Sequence, residues 1–375
     1  MGKTGFSRCA FYKILKKSLL LALLVVLLQS CKTDDPPSDP ALYFPPLGSQ
    51  TWESVTPAAL GWDTAGIPAL VTLLESNGTR AFILLKDGKI ALEEYFGQNL
   101  TGSAPFSQDT VWYWASAGKT LTAFIVGKAQ EEGLLSISNR ASAYLGAGWT
   151  SLAPAQEDLI TVRHQLTMTT GLDDGVADSH DFSPANLAYK AAAGTRWAYH
   201  NAPYTLLENV VARATLRDFN GYFNEKLRDR IGMDGFWSWL DSDHVYFSTA
   251  RAMARYGLLV LNEGKWDQEA VMQDRAYFND MVSPSQNLNL SYGYLWWLNG
   301  KASFMVPGSQ LVIPGSLNPN APADMVSGLG KNGQYVSVVP SMNLVLVRMG
   351  ENPDAVEVPF LFLDEIWKKL NNIIK

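Results

Sequence analysis

The 375-residue sequence predicts an α+β fold: one antiparallel five-stranded sheet flanked by helices, plus a second, mostly helical lobe. Three observations lead there. Residues 81–86 and 89–96 are apolar, strand-like runs joined by Asp87-Gly88, and two such runs around Asp-Gly are a strong hairpin signal. Residues 334–339 and 344–349 flank Pro340-Ser341-Met342-Asn343 as a second hairpin, and residues 292–298 add a short aromatic strand. Between these groups, residues from about 120 to 289 read as helical patches separated by long loops. Strands from both ends must therefore meet in one sheet, with the helical middle as a lobe of its own.

Taken in order, residues 1–30 read as a targeting segment. Lys3, Arg8, Lys13, Lys16 and Lys17 precede an unbroken apolar run at 19–28. That run has about half the length a membrane span needs, so it reads as a signal-peptide core. It ends in Leu28-Gln29-Ser30-Cys31, which resembles a bacterial lipobox and predicts lipidation of Cys31. Residues 31–50 begin with a Pro- and Asp-rich stretch that cannot bury a core and serves as a tether. Residues 51–375 form the predicted domain. A helix begins near Thr64, the first hairpin follows, and a helix from about Ser116 to Glu132 stops at Gly133. Residues 161–169, 204–214, 221–230 and 248–264 carry further helical patterns, the last with a Ser/Thr start and a Gly stop. An amphipathic helix at 357–370 closes the chain. Residues 51–115 and 290–375 then make the α/β lobe and residues 120–289 the helical one, with a site expected in the cleft between them.

Composition narrows the chemistry. Cys9 lies in the targeting segment and Cys31 would be lipidated, so the domain has no cysteine for a disulfide, a thiolate nucleophile or a zinc site. Residues 1–30 carry five Lys/Arg and no Asp/Glu, so their removal takes the net charge from -6 to -11. Such an acidic protein offers no electrostatic footprint for nucleic acid. The four histidines, His164, His180, His200 and His244, show no metal-ligand spacing. Asp178-Ser179-His180-Asp181 and Asp241-Ser242-Asp243-His244 read as solvated loops rather than cation sites, and no cofactor is expected.

The sharpest chemical signal is Ser116-Ala117-Gly118-Lys119 at a helix start. A serine hydroxyl needs a base to become a nucleophile, and positions i and i+3 share a helix face, so the Lys119 amine can reach the Ser116 oxygen. Tyr-x-Asn occurs three times. Tyr222-Phe223-Asn224 and Tyr277-Phe278-Asn279 fall in helical runs and read as packing. Tyr199-His200-Asn201 follows a turn-rich stretch, so Tyr199 can project into a cleft and shuttle a proton near Lys119, with Asn201 orienting the lysine or the substrate carbonyl. Gly328, Gly330 and Gly333 spell a dinucleotide fingerprint, but they precede a strand rather than open a helix, which rejects that reading. Lys331-Asn332-Gly333-Gln334 suits acyl transfer: Gly333 lets substrate lie against the strand, and the N–H groups of Gln334 and Ser116 form an oxyanion hole.

Ser-x-x-Lys, Tyr-x-Asn and Lys-x-Gly in this order resemble the three motifs of the serine β-lactamase and penicillin-binding protein superfamily. Residues 160–172, 194–201, 249–257 and 292–297 look like its class C-related esterase and amidase branch, with a Gly-Gln ending similar to 6-aminohexanoate-dimer hydrolases. The resemblance implies a β-lactamase/transpeptidase-like fold and a hydrolase acting on small esters, amides or peptides. Ser116 is the implied nucleophile, Lys119 and Tyr199 the proton-transfer pair, and Lys331-Asn332-Gly333 the third motif. D-alanyl carboxypeptidase or weak β-lactamase activity is the alternative within that chemistry. A penicillin-sensor-like or inactive binding lipoprotein, or a glycan-binding one, is the alternative outside it. The expected place is the bacterial cell envelope, with the membrane reached through Cys31.

Overall fold

The computed structural model describes residues 1–2, 42–353 and 358–374. The chain divides into two units, 1–41 and 42–375, and the packed domain is the second. The apolar run and Cys31 lie outside the described residues. Among the described residues no helix is long and apolar enough to cross a membrane.

The packed domain starts earlier than residue 51. Arg255, itself buried, donates to the carbonyls of Pro45, Pro46 and Ser49, and the Tyr43 N–H donates to Asp87 O at 3.0 Å. Phe44 meets Trp266 edge-on at 5.2 Å. Residues 42–50, predicted as part of the tether, therefore belong to the packed domain.

The main sheet has six antiparallel strands. In chain order they are β1 (Thr79–Lys86), β2 (Lys89–Tyr95), β6 (Trp297–Leu298), β7 (Val326–Gly330), β8 (Gln334–Val339) and β9 (Leu344–Gly350), and in space they run β2-β1-β9-β8-β7-β6. The two ends of the chain meet at β1–β9, with Ile83 opposite Val347. Asp87 and Gly88 both take positive φ, as the β1–β2 turn requires. Strands β8 and β9 are buried along their whole length, so both faces are covered. Helices α1 (Ile67–Ser76) and α6 (Phe360–Leu370) pack on the sheet. So does α5 (Ala250–Leu261), where Gly257 lets the helix settle onto Val345; although it lies inside the predicted helical lobe, this helix belongs to the sheet.

The sixth strand, beyond the five expected, is β7. Gly328 and Gly330 weaken its strand pattern in sequence, because glycine is disfavoured in strand interiors, yet the sheet needs them there. Residues 292–298 contribute only Trp297–Leu298, since Leu295 takes a left-handed conformation (φ 62°) and folds Tyr292 back on Trp297.

The middle of the chain carries α2 (Lys119–Glu131), α3 (Val162–Leu166) and α4 (Asn201–Thr215). It also holds a three-stranded sheet not expected there. In it β3 (Trp112–Tyr113), from the chain just before Ser116, pairs with β5 (Asp243–Ser248), which pairs in turn with β4 (Phe236–Leu240).

Candidate active site

Strand β3 delivers the nucleophile turn. The Trp114 N–H donates to Tyr246 O at 2.8 Å, and its indole donates to Ser248 Oγ at 2.7 Å. The chain then turns at Ala115, a non-glycine residue at φ 46°, into the helical turn Ala115–Gly118 and so into α2. A left-handed alanine costs energy that the surrounding structure must hold, and such strain concentrates at functional sites. Here it lifts Ser116 onto the first turn of a continuous helix. On that helix Lys119 follows one turn later and donates from Nζ to Ser116 Oγ at 2.9 Å.

Lys119 is only 5% exposed. Its Nζ lies 4.3 Å from the Tyr204 ring centroid and 5.3 Å from that of Tyr199, so two phenol faces help to hold the amine in place. Tyr199 is half-buried against an aromatic cluster, stacked on Trp297 at 6.0 Å and edge-on to Tyr292 at 6.2 Å. The other two Tyr-x-Asn tyrosines are fully packed: Tyr222 donates to Glu132 and Tyr277 to Ala123 O.

Ser116, Lys119, Tyr199, Asn201 and Lys331 line one open cleft of about 650 Å³, a size suited to a small or medium ligand. Strand β7 passes against the nucleophile turn. A Cβ at Gly330 would lie 2.5 Å from Trp114 O and 3.0 Å from Ala117 N, and one at Gly328 would lie 3.0 Å from the Thr120 methyl. Only glycine allows that approach.

The third motif is placed differently from its sequence reading. Lys331 reaches the cleft lining, but Gly333 and Gln334 do not. Gln334 is fully buried, its side chain donating to Gly350 O and accepting from Gly350 N at 3.0 Å. A Cβ at Gly333 would run into the Arg348 guanidinium rather than toward substrate. The glycine that makes room beside the nucleophile is Gly330.

Arg348 holds this turn. Fully buried on β9, it donates to Asn332 O, Gly333 O, Asn77 O and Glu351 O, and its Nε donates to Thr79 Oγ1. Arg348→Met should strand several buried carbonyls, each costing about 1–3 kcal/mol. Urea unfolding should show a loss of about 3 kcal/mol or more; a change under about 0.5 kcal/mol would contradict this role.

Sequence reasoning missed a second cluster. The Asp178–His180 and Asp241–His244 segments, read as solvated loops, are walls of the cleft, although Asp178 and Asp241 remain exposed. His180 Nδ1 lies 2.8 Å from Asp243 Oδ1, and its Nε2 lies 3.1 Å from Asn201 Nδ2. The hydrogen bond to Asp243 pushes the His180 pKa above its ordinary value, against the opposing effect of burial. No group of three or more His, Cys, Asp or Glu among the described residues could hold a metal.

His200, between Tyr199 and Asn201, is 1% exposed, and neither ring nitrogen has a hydrogen-bond partner. Burial lowers its pKa from 6.5 to about 4. Between those values the unfolded chain binds the proton and the folded one does not, so stability falls as pH drops from about 6.5 toward about 4. The full shift corresponds to about 3 kcal/mol. Burial shifts His164 in the same sense. Urea midpoints for His200→Gln should therefore fall less between about pH 7 and about pH 5 than those of the parent protein. An unchanged pH slope would contradict a neutral, buried His200.

Comparison with known proteins agrees with this architecture. Residues 78–353 match the family model described as Beta-lactamase. An uncharacterized protein of Alkalihalophilus pseudofirmus is 24% identical over 309 residues, covering 74% of this chain and 84% of its own. A Bacillus anthracis protein described as a 6-aminohexanoate-dimer hydrolase superposes with a TM-score of 0.61 at 18% identity, over 80% of this chain and 81% of its own. A penicillin-binding protein from Bacillus halodurans gives 0.58 at 18% identity, over 80% and 99%. These structural likenesses show a shared fold. The family match spans most of the chain, and the chain belongs to the Beta-lactamase family.

Proposed function

We propose that this chain is a serine hydrolase that cleaves ester or amide carbonyls through an acyl-enzyme on Ser116. Its family supports a hydrolase in general. One observation carries the finer reading: the Lys119 amine lies 2.9 Å from Ser116 Oγ, inside a cleft large enough for substrate. Ser116 Oγ attacks the carbonyl while its proton passes to the Lys119–Tyr199 pair. The tetrahedral intermediate collapses as the same pair returns the proton to the leaving alkoxide or amine. Water then enters, gives up its proton by the same route and releases the acid. The N–H of Ser116, at a helix start, is one oxyanion donor. The second is the N–H of Lys331 rather than that of Gln334, because Lys331 follows the strand end that touches the nucleophile turn and lines the cleft.

The substrates best suited are small or medium esters and linear amides. A panel of p-nitrophenyl esters, a linear ω-amino-acid dimer amide, a D-Ala-D-Ala peptide and nitrocefin should show turnover of the first two classes ahead of the others. Faster turnover of the peptide or nitrocefin would shift the assignment to carboxypeptidase or β-lactamase. Stable acylation without turnover would favour a sensor. Cys31 is proposed as the lipid anchor to the envelope, on its place at the end of the apolar run. Cys31→Ala should move the protein from the membrane to the soluble fraction, and continued membrane retention would contradict it.

A further inference from the structure

Three side chains from three parts of the fold join across the cleft in a way that acyl transfer on Ser116 does not use. Asp243 opens β5, His180 sits in the loop that precedes α4, and Asn201 is the first residue of α4. Both ring nitrogens of His180 are engaged, one by Asp243 and the other by the Asn201 amide. The other end of that amide, Asn201 Oδ1, is buried and has no hydrogen-bond partner.

We propose that His180 is a positioning residue for the Ser116 site, its charge deciding which end of the Asn201 amide faces it. The proposal rests on the acyl-transfer reading of Ser116. When His180 is neutral, its Nδ1–H donates to Asp243 and its Nε2 accepts from Asn201 Nδ2. When His180 is protonated, Nε2–H becomes a donor and would meet another donor. Half a turn of the amide resolves the conflict. Oδ1, until then without a hydrogen-bond partner, accepts from Nε2–H, and Nδ2 takes its former place. The two ends of an amide are nearly the same size, so the turn leaves the packing undisturbed. Asn201 shares the cleft lining with Ser116, Lys119 and Tyr199, so the turn exchanges an acceptor for a donor at the edge of the reacting centre.

The charges around His180 come from every side. Asp243 on β5 and Asp178 on its own loop favour the imidazolium, whereas Lys119 on α2 opposes it. His200, just before α4, is held neutral by burial and adds no charge there. Lys119 and Lys331 act in turn on Asp243. The balance keeps His180 protonated to a higher pH than a free histidine.

The test is the rate at which an uncharged fluorophosphonate labels Ser116 between about pH 5 and about pH 9, with the His180 ring followed by NMR over the same range. The rate should step by roughly tenfold, the effect of one buried hydrogen bond in the transition state. Its midpoint should coincide with the His180 titration. Asp243→Asn should move both midpoints down. Asn201→Asp should move the ring titration up and abolish the rate step at it, because a carboxylate accepts from Nε2–H in any rotation and has no donor end to exchange. His180→Gln should still label but show no step at that midpoint. A step that disagrees with the ring titration in the parent protein would overturn the proposal, as would one left unmoved in all three variants. Absence of labelling at Ser116 in the parent protein would instead overturn the acyl-transfer reading.

Discussion

Ser116→Ala should lower kcat on any ester the protein turns over by at least about 10⁴-fold, since removal of a nucleophile that acts as a unit with its base collapses the whole mechanism. The change removes one oxygen from the first turn before α2. It leaves intact the Trp114 anchors to Tyr246 and Ser248 that set the turn. Stability should therefore stay within about 0.5 kcal/mol of the parent. Equal folding with lost turnover, read by initial rates beside urea unfolding, separates a chemical role from a structural one. A variant retaining more than about a tenth of parental kcat would place the nucleophile elsewhere.

The second large effect is at Lys119. Lys119→Met keeps most of the side-chain volume but removes the amine that meets Ser116 Oγ. Loss of a general base typically costs about 10²–10⁴-fold in kcat. Lys119→Arg sharpens the test. A guanidinium keeps the positive charge but cannot accept a proton. If Lys119 moves a proton, the arginine variant should be nearly as slow as the methionine one. If Lys119 serves only as a fixed charge, arginine should restore most of the activity, and the initial rates of the two variants decide between these roles.

Much of the sheet was legible because its hairpins carry local signals. Asp87-Gly88 joins β1 to β2, and Pro340–Asn343 joins β8 to β9. The Ser116–Lys119 contact was legible for the same reason, since helix geometry alone brings i and i+3 together. Strand β7 was hidden because its glycines answer to a neighbour distant in sequence, the Trp114–Ala117 turn, and not to strand propensity. The β4–β5 hairpin was lost among helices, although the alternating burial of Asp243–Ser248 is a period-2 pattern. The Asp243–His180–Asn201 chain had no local signal: its members meet only because a loop and the start of β5 pack against one helix start. Gln334 departs from its expected place because the third motif does not act as one unit. The turn in fact splits it, sending Lys331 to the cleft and Gln334 into the core beside Gly350.

Whether Ser116 carries the acyl group is tested most directly by treating the purified protein with a fluorophosphonate, digesting it and locating the adduct by mass spectrometry. A single adduct on Ser116, lost in Lys119→Met at short labelling times, is the predicted result. An adduct on another serine, or labelling of Ser116→Ala at the parental rate, would contradict it.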